Sequence, residues 1–223
     1  MGCGFHKRET PMKKLLGAIA LATTALAGTA HAADVSYMPQ DAWFVHAGVT
    51  GVLFDSSLNS TTVPGNTGAY VTNNITGTLE AGRYIQGGFA VALSAGIPPT
   101  NELHALFPGP TDVQIGTATY GSIMALAQYH FNRSGQFSPY LGAGVAYNVT
   151  FSTTALAPAT TVSIDNGFAP VLQAGVDFKV SDHFTVFGDV KKEFYSTTVH
   201  TNLGNANVKL DPWIVSAGIG FTF

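Results

Sequence analysis

Trp213-Ile214-Val215-Ser216-Ala217-Gly218-Ile219-Gly220-Phe221-Thr222-Phe223 closes the chain, and the reading of this stretch decides the fold. Successive side chains of a strand point to opposite faces. Trp213, Val215, Ala217, Ile219, Phe221 and Phe223 therefore share one face, and Ser216, Gly218, Gly220 and Thr222 share the other. A soluble sheet would bury the apolar set. In a membrane barrel the apolar set faces lipid and the small or polar set faces the lumen.

The same alternation extends upstream. Leu141, Ala143, Val145, Tyr147 and Val149 alternate with Gly142, Gly144, Ala146 and Asn148. Eight segments of this kind are predicted, near residues 42–54, 70–83, 88–97, 114–132, 137–152, 168–180, 184–198 and 208–223. The connections at 84–87, 133–136 and 181–183 are short. Those at 56–69, 98–113, 153–167 and 199–207 are long. Short turns on one rim and long loops on the other describe an outer-membrane barrel, here an all-β, eight-stranded antiparallel one with periplasmic turns and extracellular loops. Trp43, Phe44, Tyr129, Phe131, Phe137, Tyr140, Phe178, Phe184 and Phe221 cluster at the short-turn rim and are expected to form an interfacial girdle. In the second long loop, Leu103, Leu106 and Phe107 make an apolar patch between Pro98, Pro99, Pro108 and Pro110. Such a patch marks an interaction site, the lip of a pocket or a contact with the bilayer surface.

Composition agrees with this reading. Charged residues make up 10% of the chain, against about 25% in soluble domains. Beyond the N-terminal leader no apolar run reaches the roughly 20 residues of a spanning helix. Backbone groups in a bilayer must be satisfied internally, so a sheet crosses only if it closes on itself.

The leader reads as a signal peptide. Met12-Lys13-Lys14 is a basic start, residues 15–27 are apolar, and Ala30-His31-Ala32 fits a cleavage site, which places the cut between Ala32 and Ala33. Met12 is the better initiator, and the two regions are residues 1–32 and the barrel 33–223. Cys3, the single cysteine, falls in the leader. The leader also takes four of the ten Lys and Arg and one of the thirteen Asp and Glu, which leaves a net charge of −6 on the mature 191 residues. That balance argues against a nucleic-acid partner.

Charges on the strands assign the inner face. Asp189, Lys191 and Glu193 alternate with Val190 and Phe194, Gln173 and Asp177 with Val176 and Phe178, and Glu80 lies between Leu79 and Ala81. A charge facing the lipid midplane costs a few kcal/mol, so these are expected to point inward and pair. Glu80, Gln128, His130, Gln173, Asp177, Lys179, Asp189, Lys191 and Glu193 form the expected polar lumen network. An internal network of this kind is structural in the first instance, and a proton or ion path is its alternative. Following the inward parity toward the outer rim gives Val52, Phe54, Tyr120, Met124, Val171, Leu210, Pro212 and Ile214. These predict an apolar upper lumen for a small hydrophobic ligand, entered from outside and left sideways through the wall.

Three segments carry a resemblance: Pro139-Tyr140-Leu141-Gly142-Ala143-Gly144-Val145-Ala146-Tyr147, Gln173-Ala174-Gly175-Val176-Asp177-Phe178, and Lys209-Leu210-Asp211-Pro212-Trp213 running into the terminal Gly218-Ile219-Gly220-Phe221-Thr222-Phe223. In these the sequence resembles the outer membrane protein W (OmpW) family over most of residues 33–223. The resemblance implies a narrow, largely hydrophobic channel in the outer membrane of a Gram-negative bacterium, used by small hydrophobic molecules, with bacteriocin reception as a further role of some members. The family's Pro-rich element before the fourth strand's apolar run is replaced here by Thr119-Tyr120-Gly121-Ser122. The final Phe223 looks like the signal read by the barrel-assembly machinery, and the surrounding partner is outer-membrane lipid.

No enzyme is expected. None of the seven His is followed two positions later by Ser, as a lipid A deacylase-like site would need. His46, His130 and His200 are scattered over different strands. There is no His-Glu-x-x-His, Cys cluster or Gly-rich phosphate loop, so no metal, cofactor or nucleotide is implied. The alternative functions are a structural, adhesive or receptor barrel acting through its loops, and behind that a lipid-modifying enzyme.

Overall fold

The structure is a computed structural model that describes residues 42–109 and 111–223. The leader, Met12, the cut between Ala32 and Ala33, and Pro110 lie outside the described residues. The strands are β1 (Trp43–Leu53), β2 (Ser57–Thr61), β3 (Gly68–Val71), β4 (Asn74–Gln86), β5 (Phe89–Gly96), β6 (Thr100–Phe107) and β7 (Thr111–His130). They continue with β8 (Phe137–Ala155), β9 (Val162–Ile164), β10 (Gly167–Lys179), β11 (Phe184–Glu193), β12 (Ser196–Thr201), β13 (Gly204–Lys209) and β14 (Trp213–Thr222).

Eight of these close a barrel. Antiparallel ladders join β1 to β4, β4 to β5, β5 to β7, β7 to β8, β8 to β10, β10 to β11, β11 to β14 and β14 back to β1. Both ends of the barrel sequence meet at the short-turn rim, where Trp43 and Phe223 exchange backbone bonds of 2.8 and 2.9 Å. The closing seam is tight. Gly48 of β1 pairs with Gly218 of β14, and a Cβ on Gly218 would stand 2.1 Å from the Ala47 carbonyl oxygen. Only a residue without a Cβ allows that approach.

Burial follows the alternation. Along β7, Met124, Leu126, Gln128 and His130 are buried while Ile123, Ala125, Ala127 and Tyr129 are exposed. In β14, Ile214, Ser216, Gly220 and Thr222 are buried, and Trp213, Ile219 and Phe221 are exposed. The girdle at the short-turn rim consists of Trp43, Tyr129, Phe131, Phe137, Phe178, Phe184 and Phe221, all exposed. Phe44 and Tyr140 are corrections to it. Each is 1% exposed and points into the lumen, because strand parity puts it opposite its lipid-facing neighbour.

The long connections are also strands. β7 has 20 residues and β8 has 19, against roughly 9–11 needed to cross the bilayer. Their outer halves therefore rise above the membrane and carry more sheet. β6 pairs with the outer half of β7, and β3 pairs with β6. β2, β13, β12 and β9 form a second, four-stranded sheet. The segment 98–113, expected as a long connection, contains β6. Pro98, Pro99 and Pro108 bracket β6, which keeps them out of its ladder. The predicted strands at 184–198 and 208–223 each divide near the outer rim. There Asp211 takes a positive φ of 33°, Pro212 follows it, and Lys192 Nζ donates to the Asp211 carbonyl at 2.6 Å. The apolar patch of 98–113 is not a free surface either. Leu103 is buried, and it and Phe107 line a cavity described below, while Leu106 packs over Gly68.

Candidate functional site

The lumen has three levels, and the lowest is polar. Gln128 Nε2 donates to Glu80 Oε1 at 2.7 Å and to Gln173 Oε1 at 2.9 Å. Gln173 Nε2 donates to Asp189 Oδ2 at 2.7 Å. Lys191 Nζ lies 2.6 Å from Asp189 Oδ2 and 3.2 Å from Glu80 Oε2. Tyr140 donates to Asp189 at 3.3 Å, and His130 Nε2 meets Gln128 Oε1 at 3.3 Å. Five strands (β4, β7, β8, β10 and β11) thus meet in one bonded cluster, each contributing residues of inward parity. In a low-dielectric interior such charges persist only when paired and hydrogen-bonded.

Two predicted members stand apart from that cluster. Lys179 donates to the Arg133 carbonyl in the β7–β8 turn, at the short-turn rim. Glu193 accepts from Asn148 nearer the outer end. Asp177 sits between two histidines, 3.5 Å from His46 Nε2 and 3.5 Å from His130 Nδ1. Asn148 falls on the inward face that the alternation of its strand predicts, whereas His46, Tyr84 and Tyr140 were missed as lumen residues. Their signal was available in the parity of β1, β4 and β8, since each alternates with residues on the lipid face.

Above the cluster lies a cavity enclosing about 590 Å³, mouth included. Val52, Tyr120, Met124, Pro212 and Ile214 line it, with Thr50, Ser94 and Ser122, and Lys191 and Glu193 at its polar side. Thr50 donates to Ser216 at 2.9 Å across the seam.

A second cavity of about 990 Å³, again with its mouth, stands farther out. Leu103, Ala105, Phe107, Ile115, Ala118, Ile164, Val199, Val208 and Leu210 make its wall. Tyr120 borders both cavities, and Asn148 of the outer one bonds Glu193 of the inner one, so these groups form the partition. Of the other predicted apolar residues, Phe54 packs with its ring 5.9 Å from that of Tyr120, and Val171 is buried in the same apolar core without lining either cavity. The predicted upper lumen therefore corresponds mainly to the inner cavity. Most of the outer one comes from segments that sequence reading assigned to loops.

The wall beside the inner cavity is weakly laddered. β5 pairs with β7 up to Ala95 opposite Ile123, and β6 resumes with Thr100 opposite Thr119. Between them Pro98 and Pro99 lie across from Tyr120 and Gly121, where the backbone contact is Tyr120 N to the Pro99 carbonyl at 3.3 Å. Ile97, Pro99 and Gly121 all border the cavity at this gap.

The sequence profile of the OmpW family matches residues 40–223, the whole of this barrel. The chain belongs to the OmpW family. Among OmpW-like relatives, the outer-membrane protein y4mB of Sinorhizobium fredii is 31% identical over 81% of this chain and 80% of its own length. Outer membrane protein W of Escherichia coli is 28% identical over 95% of this chain and all of its own. In fold, the crystal structure of OprG from Pseudomonas aeruginosa superposes with a TM-score of 0.75 at 19% identity, covering 85% of this chain and 99% of that one. The structure of AlkL in DMPC bilayers gives 0.68 at 22% identity, covering 88% and 96%. The chain is thus an outer-membrane barrel of this family, seated in the outer membrane of a Gram-negative bacterium with its apolar face against lipid.

Proposed function

We propose that this barrel takes up small hydrophobic molecules from outside the cell and releases them sideways into the membrane. The observation that carries the reading is the stacking of a mainly apolar outer cavity and a mixed inner one on a bonded polar floor. An apolar molecule gains by leaving water for the outer cavity. It passes Tyr120 into the inner cavity and there meets Glu80, Gln128, Gln173, Asp189 and Lys191, whose hydrogen bonds it cannot replace. Straight passage to the periplasm is costly, and the interrupted ladder at Pro98 and Pro99, which borders the inner cavity, supports a sideways exit. Catalysis has no part in this reading.

The test is the uptake of the fluorescent apolar probe N-phenylnaphthylamine by intact cells that carry or lack the protein. The expected result is faster uptake with the parent barrel. Its return to the rate of cells lacking the protein is expected in Met124→Asp, with the variant still folded. Equal uptake by the Asp variant overturns the reading in favour of a structural or adhesive barrel.

A further inference from the structure

The outer cavity is not uniformly apolar. Asn101 of β6 lines it and is fully buried, with 0% of its surface exposed. The orientation of its carboxamide is fixed from behind. The backbone N of Ile75 donates to Asn74 Oδ1 at 2.8 Å, so Asn74 turns its Nδ2 away. That Nδ2 donates to the Thr100 carbonyl at 2.9 Å and to Asn101 Oδ1 at 3.3 Å. A flipped Asn101 would set one NH2 against another. Asn101 Nδ2 must therefore point away from Asn74, and it meets no acceptor of the protein.

A buried amide donor without a partner in an apolar enclosure is costly, and a ligand that supplies an acceptor recovers the bond. The residues lining this cavity include neither Lys nor Arg, and its histidine, His104, is engaged by Asp112 at 2.8 Å and Glu102 at 3.5 Å. A ligand carboxylate would enter without a counter-charge.

We propose that Asn101 selects neutral hydrophobic molecules that carry one hydrogen-bond acceptor, such as a ketone, aldehyde or ester. The proposal rests on the uptake reading and adds to it a discriminating group. The apolar wall receives the hydrocarbon part, and the Asn101 amide receives the oxygen. Plain hydrocarbons leave the donor unsatisfied, and fatty acids bring an unpaired charge.

The test uses the full barrel in detergent with N-phenylnaphthylamine bound, displaced by 2-octanone, octane or octanoate. In the parent, 2-octanone is expected to displace the dye at about one tenth the concentration octane requires, the worth of one hydrogen bond, and octanoate is expected to be the weakest. In Asn101→Leu, 2-octanone falls to the level of octane, and octane is unchanged. Equal displacement by 2-octanone and octane in the parent overturns the proposal, whether or not the variant folds. So does a preference that survives Asn101→Leu. Displacement without preference removes the role of Asn101 alone. If the dye does not bind, or no probe displaces it, the cavity itself is not a binding site and the uptake reading falls as well.

Discussion

Lys191 holds two carboxylates together at the level where the apolar cavity gives way to the floor, at 2.6 Å from Asp189 and 3.2 Å from Glu80. Lys191→Met leaves both acids buried without their cation. Removing one partner of a buried pair costs about 3–5 kcal/mol, so the urea midpoint of the purified barrel should fall. The residual current across a planar bilayer should rise and favour cations. Ile214→Asp acts one level up and should abolish displacement of N-phenylnaphthylamine while leaving the heat-modifiable gel band of the folded barrel in place. At the outer surface, the hydrogen bond from His200 Nε2 to Asp165 Oδ2, 3.1 Å, raises the His200 pKa above its usual 6.5. The stabilisation from that raised pKa is complete below about 6.5 and is lost as pH rises through the folded-state value. Asp165→Asn should return the NMR titration midpoint of His200 toward 6.5; an unchanged midpoint would remove Asp165 as the cause.

Strands differ in how openly they declare themselves. β8 and β14 were legible because lipid on one side and a small-residue lumen on the other enforce strict alternation in Leu141–Val149 and Trp213–Phe223. Val145 is 49% exposed on the lipid face, and Val145→Arg should cost roughly 2–4 kcal/mol, read as a lower urea midpoint in lipid. β6, β12 and β13 were not legible. They are short, and their inward apolar positions, Leu103, Ala105, Val199 and Val208, are few and set among Thr, Asn and flanking prolines, which read as loop. The floor was legible as a set of inward charges on single strands. Its wiring was not, because Glu80, Gln173 and Lys191 meet only once the barrel order is known. The same holds for Asp177, whose two histidine neighbours lie on β1 and β7. Asn101 was hidden twice over, in an unrecognised strand and behind Asn74.

The barrel unit, over its described residues, combines a lipid-facing cylinder with a water-exposed cup. The leader reading leaves a chain that begins nine residues before the first described one, and N-terminal sequencing of outer-membrane material should start at Ala33; an intact segment upstream would set that reading aside. At the seam, Gly218→Val places side-chain atoms against the Ala47 carbonyl. It should prevent closure, seen as loss of the heat-modifiable band, while Ile219→Val on the adjoining lipid face keeps it.

The pairing of β1 with β14 also sets the order of events in the life of the chain. Phe44, near the start of β1, finds its partner in Thr222, at the end of β14. Until that residue exists, any assembled sheet keeps two bare edges, and such edges invite pairing with other chains. A chain cut before Trp213 would leave the edges of β1 and β11 bare, the two that β14 otherwise covers.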